Sequence, residues 1–528
     1  MFVQIVLKKE NKMVQYMNNS GFNQWNQMNA NNKKPSRFSG FLWWLFLFLF
    51  AWWIIGLWLK PQNTELKTIS HVVIEQSNVV TRTLNKEDIS FNVQGLRISK
   101  VILNKHKQNA KSDDNISLLS DENNFIEVGF VSSDIQTPNI NTNWDMKSGE
   151  MHWDNSNTHF TRKISVDGYV INVIDTIKNK TNHEISIAPY AQITQSANNK
   201  TSGVVETGGV VYANSDLNYI NWNKLNKKSF AYSSVNAFLG FAEQYWETIA
   251  SVDAKDQTIS LKKSGDLYFA QTNAAPIKIA PKSESTVSTY IFAGPRQSDV
   301  LNTASKNIPG INKTIDYGWF WFFAAPMLWM INWLYALGGN YGVAIILMTL
   351  ILRLLMWPLT RKSYVSTMAM QKMQPELQRV QKLYANDKAR LQMEMMKIYQ
   401  THRTSPMSGC LPMLIQIPIF FALYKALLIS VPMRSAHFLW ISDLSAMDPY
   451  FILPILMGAT MWLQQYLQSP KQNSNTNDVM ASTQRAMKWM PIIFTAMFAW
   501  MPAGLVLYWT VSNLFGILQM YIIKKTIK

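Results

Sequence analysis

Two hydrophobic patterns divide the chain. Residues 41–59, FLWWLFLFLFAWWIIGLWL, contain no charged side chain. At ~1.5 Å per residue they reach roughly 28 Å as a helix, one hydrocarbon thickness. The run is longer than the ~7–15 residues of a signal-peptide core, and Lys60-Pro61-Gln62 follows it with no small-x-small cleavage site. It therefore predicts an uncleaved anchor rather than a cleavable signal. From residue 76 to 311 the period drops to two, and beyond 340 long apolar runs return.

The second pattern predicts β-structure. Stretches 163–166, 169–174 and 184–187, then 258–262, 275–280 and 286–292, alternate apolar and polar positions between Asn, Asp, Gly and Lys turns. Short strands with frequent turns predict a sandwich over 60–315, including its linker. The apolar runs predict spans at 341–359, 410–431, 450–467, 489–501 and 505–523, the last pair joined by a Met501-Pro502-Ala503-Gly504 turn. With 41–59 that makes six, which leaves both termini on one side. Residues 316–338 are Trp-rich and lead into a span without a basic turn, which predicts an interfacial helix on the outer surface. Between the second and third spans, 360–409 predicts a helical hairpin. Met370, Met373, Leu377, Val380 and Tyr384 form one stripe and Leu391, Met395 and Ile398 a second, with a turn and cap at Ala385-Asn386-Asp387.

Charge orients this topology. Of 50 Lys and Arg against 33 Asp and Glu, the surplus sits at the two ends. The Asn-rich tail 1–40 holds six basic residues and one acid, and 317–528 holds 18 basic and six acidic residues. The middle is close to neutral. The hairpin, the 468–488 loop and the 524–528 tail are basic, whereas the 432–449 loop carries Arg434 against Asp443 and Asp448. By the positive-inside rule the termini and hairpin are cytoplasmic and the β-region lies outside. A surplus that tracks the spans points to a membrane rather than to nucleic-acid specificity. The single cysteine, Cys410, excludes an internal disulfide framework and a Cys-cluster metal site.

Candidate chemistry is sparse. There is no Walker loop and no GxGxxG, and His183-Glu184 lacks the second histidine of a zinc-protease helix. His152, Asp154 and His159 lie close in sequence, but such spacing on a Trp- and Asn-rich loop is incidental more often than metal-binding. Arg353 is the informative residue, because an arginine at the centre of a span costs about 2.5–3.5 kcal/mol. It either snorkels to the inner interface, seven residues away, or faces a wet cavity open to the cytoplasm. None of the six spans contains Asp or Glu, so an anionic partner has to come from outside the bundle, which favours the cavity. Thr349, Gln416, Gln465, Tyr508, Trp509 and Asn513 are the other groups able to line it, though each alone also reads as an interhelical hydrogen-bond partner. Lys425 is the other charge within a span; six residues from its outer end, it is expected to reach the outer interface. Of 28 methionines, 22 follow residue 316, which fits both ordinary packing and an adaptable client-binding surface.

Five segments carry a resemblance: DYGWFWF at 316–322, LR..MWPLT at 352–360, SGCLPMLIQIPIFFALY at 408–424, DLSAMDPYFILPILMGATM at 443–461 and MPAGLVLYWTVSN at 501–513. Over about 210 residues the chain resembles the YidC/Oxa/Alb membrane protein insertases. Gly240-Phe241 through Tyr245-Trp246 and Phe292 to Pro295 resemble, more weakly, the periplasmic β-supersandwich domain of the Gram-negative YidC branch. The resemblance implies a multi-pass α-helical protein of the inner membrane with a large periplasmic domain. It implies insertion of nascent membrane proteins through a hydrophilic inner-leaflet groove, alone or with the Sec translocon, without cofactor, metal or enzymatic step. It places the required groove arginine at Arg353, and groove positions at Thr349, Gln416, Gln465, Tyr508 and Trp509. The hairpin corresponds to the family's cytoplasmic hairpin, a contact for ribosome, targeting factor or lipid headgroups if its charged faces are not simply solvated. The short tail after residue 523 and Lys425 depart from the family pattern. Two other readings remain: a solute transporter using Arg353 for an anion, and an anchored external sugar- or cell-wall-binding module.

Overall fold

The computed structural model describes residues 80–108, 112–119, 123–197, 207–402, 411–468 and 479–526, all within one compact unit, Ile74–Lys528. The tail 1–40, the first span 41–59, Cys410 and the 469–478 part of the loop lie outside them.

The β-region folds as two antiparallel sheets, one of ten strands and one of nine. In the first, Ile185–Ser196 lies between Phe125–Val131 and Leu267–Ala274; in the second, Glu284–Pro295 lies between Trp246–Val252 and Val170–Asn179. Alternation appears where one face is wet: Ile185, Ile187, Pro189, Ala191 and Ile193 are buried while Ser186, Ala188, Tyr190 and Gln192 are half-exposed. Trp246–Val252 is buried along its whole length, so period-two reading is blind to it. The 275–280 run shrinks to the three-residue strand Ile277–Ile279, because Pro276 and Pro281 cannot donate to a ladder. Trp222, Phe241 and Tyr268 stack in the core, with Trp222 4.7 Å from Tyr268 and 5.6 Å from Phe241. Gly240 is required by close approach, since a Cβ there would strike the Thr248 carbonyl.

One buried ion pair joins the sheets. Arg162 donates to both Asp175 oxygens at 2.7 and 2.9 Å, and to the Val128 carbonyl of the opposite sheet at 2.9 Å. With these bonds made, the cost of desolvating both charges is largely offset. A second buried pair closes the domain where the chain leaves it. Arg296 donates to the Glu243 carbonyl at 2.9 Å, to the Tyr219 hydroxyl at 2.8 Å and to the Thr314 carbonyl, and lies 3.6 Å from Glu247. Glu247 accepts from the Thr314 hydroxyl at 2.9 Å, and burial pushes its carboxyl up to about 7.

The helical region has eight long helices among the described residues: α1 Trp321–Gly338, α2 Tyr341–Leu355, α3 Trp357–Leu383, α4 Lys388–Thr401, α5 Leu411–Ile429, α6 Ile452–Gln468, α7 Val479–Phe498 and α8 Ala503–Thr526. α1 packs on α5 and α2, and α8 packs on α6 and α2. Taken singly, α8 is long and apolar enough to cross a membrane; α2 and α3 pass together as a pair bent by 64°. The hydropathy run continues to 359, yet the helix turns at Met356. Pro358 lacks the N–H that would bond the Leu354 carbonyl, so the ladder breaks there. α7 begins ten residues before the apolar run, because 479–488 (VMASTQRAMK) mixes good helix formers with polar residues and contains no Gly or Pro to stop a helix. α3 and α4 form the hairpin: Met373, Leu377 and Tyr399 are buried against Met370, Met395 and Ile398, and the Asp387 side chain caps α4 by accepting from Arg390 N at 3.0 Å.

Candidate functional site

α8 carries a polar stripe. Tyr508, Ser512, Gly516 and Gln519 recur at helical spacing and are all buried, while Leu514 and Leu518 on other faces are exposed. α2 lies against this stripe and presents Arg353, which is half-buried. Its Nε and Nη2 donate to the Ser512 hydroxyl at 2.8 and 2.5 Å. That oxygen thus accepts twice from the one guanidinium. Tyr508 also accepts from Gln416 Nε2 at 2.5 Å, which brings α5 into the network. Two turns along α8, Gln519 donates to the Arg353 carbonyl at 3.1 Å. This carbonyl lies one residue before the Leu354 carbonyl that Pro358 leaves without its helical partner. Among the described residues Arg353 makes no ion pair; its side-chain hydrogen bonds go to the neutral Ser512 hydroxyl.

A second polar node adjoins it. The Tyr364 hydroxyl of α3 donates to the Gly516 carbonyl at 3.2 Å and accepts from Gln464 at 3.4 Å and Gln468 at 3.3 Å. Gly516 permits this, since a Cβ there would press on the Gln464 amide at 3.2 Å.

The structure thus gathers Arg353, Gln416 and Tyr508 in one network. The Thr349 hydroxyl is fully buried and bonds back to the Ile345 carbonyl at 2.6 Å. Asn513 bridges α8 to α6, donating to the Met457 carbonyl at 3.4 Å and the Thr460 hydroxyl at 3.3 Å. Trp509 stands in an aromatic cluster, 5.1 Å from Phe498, 5.4 Å from Phe420 and 6.0 Å from Phe494. Gln465 is half-buried on α6, beside the Gln464 that reaches Tyr364. Sequence reading missed Ser512, Gln519, Tyr364 and Gln464. The spacing of Ser512 and Gln519 from Tyr508 was the available signal, but serine and glycine in an apolar helix also mark ordinary close packing.

At the other end of the bundle, Lys425 is neither free nor snorkelling into water. It pairs with Asp316 of the DYGWFWF segment, both side chains being largely buried. Nearby, Gln244 donates to the Leu428 carbonyl at 2.9 Å, Arg434 donates to the Lys107 carbonyl at 2.9 Å, and Val431 packs into the β-domain core. The β-domain is therefore seated on the C-terminal end of α5 and the loop after it. On its surface His152 and His159 stack 3.4 Å apart (Nδ1 to Nε2), with His159 Nδ1 2.8 Å from Asp154. Among the described residues no group of three or more His, Cys, Asp or Glu is placed to hold a metal ion.

Residues 333–528 match the family described as 60Kd inner membrane protein, and residues 79–330 match the YidC periplasmic domain. The membrane protein insertase YidC of Rickettsia canadensis (strain McKiel) is 33% identical over 526 residues, covering 88% of this chain and 92% of that one. The protein of the same name from Cellvibrio japonicus (strain Ueda107) is 34% identical over 476 residues, 83% of each chain. Among solved structures, the active YidC insertase crystal structure with the first transmembrane domain resolved aligns over 84% of this chain and 93% of that one, at 19% identity and a TM-score of 0.38.

Proposed function

The chain belongs to the YidC family of membrane protein insertases, and on that premise we propose that it inserts nascent membrane proteins into the bacterial inner membrane by way of Arg353. The protein crosses the membrane six times with both termini in the cytoplasm, and the β-domain is periplasmic. The observation that carries this reading is the Arg353 site: a guanidinium in an apolar helix with hydroxyl partners and, among the described residues, no carboxylate. A cation so placed is ready for an anionic group that arrives from elsewhere.

The polar end of a client enters from the cytoplasm into a groove between α2, α5 and α8. Arg353 attracts its acidic groups, and Tyr508, Gln416 and Ser512 offer hydrogen bonds to its backbone in place of water. The groove shortens the apolar distance that remains to be crossed. The client's apolar helix then leaves into lipid beside the third and fifth spans. Each Leu, Ile or Phe gains about 0.3–0.6 kcal/mol there, and an acidic group moved outward gains about 2.3 kcal/mol per 100 mV of membrane potential. These gains drive transfer without a nucleotide. The hairpin α3–α4 meets the arriving client or its carrier, whether ribosome or targeting factor, and Met393 and Met396 on its exposed surface suit an adaptable apolar contact. Insertion proceeds alone or with the Sec translocon as partner.

Arg353→Ala is expected to abolish insertion of a client with an acidic translocated tail into vesicles holding the purified protein and a membrane potential. Wild-type insertion of that client by the variant would refute the groove reading.

A further inference from the structure

Arg353 is a long side chain on a helix that ends two residues later, so nothing in α2 itself fixes where its guanidinium points. The fixing comes from α8. Ser512 accepts from both Nε and Nη2, which sets the guanidinium plane as well as its position, while Gln519 holds the carbonyl of the same residue. Ser512 is 2% exposed. Nη1 is the nitrogen that Ser512 does not engage.

We propose that Ser512 is a positioning residue for insertion: its hydroxyl aims the Arg353 guanidinium so that Nη1 faces the acidic group of a client. This rests on the insertion reading above and extends it to a residue acting through the arginine. Side-chain geometry selects Ser512. Thr349 and Asn513, equally buried and polar, are committed to the Ile345 carbonyl and to α6 instead.

The test uses the full-length protein in vesicles with a membrane potential, and two clients that differ only in the charge of the translocated tail, acidic or neutral. Ser512→Ala is expected to slow the acidic-tail client about tenfold, the scale of losing hydrogen bonds to a charged group, and the neutral-tail client less than about twofold. Ser512→Thr, which keeps the hydroxyl, is expected to restore the ratio between clients. Adding Ser512→Ala to Arg353→Ala is expected to change nothing further, because the serine acts through the arginine. Equal slowing of both clients by Ser512→Ala would assign the serine to packing alone and overturn the proposal, as would an unchanged ratio or a Thr variant that fails to restore it. An Arg353→Ala protein that inserts both clients normally would instead overturn the insertion reading on which the proposal stands.

Discussion

At the scale of single residues, charge in low dielectric decides most of what is distinctive here. The β-domain solves the problem twice by pairing, at Arg162–Asp175 and at Arg296–Glu247, whereas Arg353 is served by a hydroxyl. The two solutions suit different tasks, since a paired charge is spent and a solvated one remains available. Glu247 yields a pH prediction. Burial raises its folded-state pKa to about 7 from an ordinary value of 4.5, with Arg296 and Thr314 opposing. The folded protein therefore binds this proton more tightly than the unfolded chain. Stability conferred by Glu247 protonation is full below about pH 4.5 and is lost as pH rises to about 7. Wild-type unfolding followed by tryptophan fluorescence should show stability falling by a few kcal/mol over that window. Glu247→Gln should flatten the slope, and an unchanged slope in that variant would assign the effect elsewhere. Arg353 stood out in the sequence because it interrupts an apolar run. Ser512 did not, because its role depends on a neighbouring helix that no local pattern encodes.

Among elements, the bend between α2 and α3 has the widest consequence. Pro358 breaks the ladder, Gln519 takes up the Arg353 carbonyl, and α3 departs at 64°. The hydropathy run gave no sign of this turn, because Met356, Trp357 and Leu359 are as apolar as the residues before them. The hairpin stripes were legible, since Met373, Leu377, Met395 and Ile398 meet as their spacing requires. α6 and α7 touch where Gly458 faces Thr495, so close that a Cβ at Gly458 would displace the Thr495 hydroxyl and press on its Cβ at 3.2 Å. The Lys425–Asp316 pair joins α5 to the segment that follows the β-domain. Lys425→Met is expected to destabilise the protein by roughly 1–3 kcal/mol, between the values for surface and fully buried pairs. It leaves Asp316 largely buried without its partner. Asp316→Asn in the same chain should recover part of that loss in thermal unfolding. Additive losses in the double variant would show that the two charges do not support one another.

For the whole molecule, the β-domain and the helical region meet through Val431, Gln244 and Arg434, so the domain sits on the bundle rather than hanging from a tether. Arg434 also lies 5.7 Å from the Trp246 ring, which His106 of the same β-domain contacts edge-on at 5.0 Å. The proposed topology can be checked with single cysteines in a Cys410→Ser chain. Met447→Cys, on the outer loop, should react with a membrane-impermeant maleimide in intact spheroplasts. Met393→Cys, on the hairpin, should react after lysis alone. Both positions are exposed in the fold, at 52% and 59%, so burial would not mask the result. Labelling of Met393→Cys in intact spheroplasts would invert the assignment of sides.

The sequence alone determined the division into a β-rich middle and an apolar helical end, the family, and the arginine on which the functional reading turns. Each of these is written in local periodicity, charge bias or contiguous motifs. The tertiary structure decided which hydroxyl holds that arginine, where the helix of the 341–359 apolar run turns, and that Lys425 has a carboxylate partner 109 positions earlier in the chain. The physical reason is common to all three. A hydrogen bond, a kink stabilised from a neighbouring helix and an ion pair across elements depend on distance in space, and side chains far apart in the chain acquire that proximity when the helices pack.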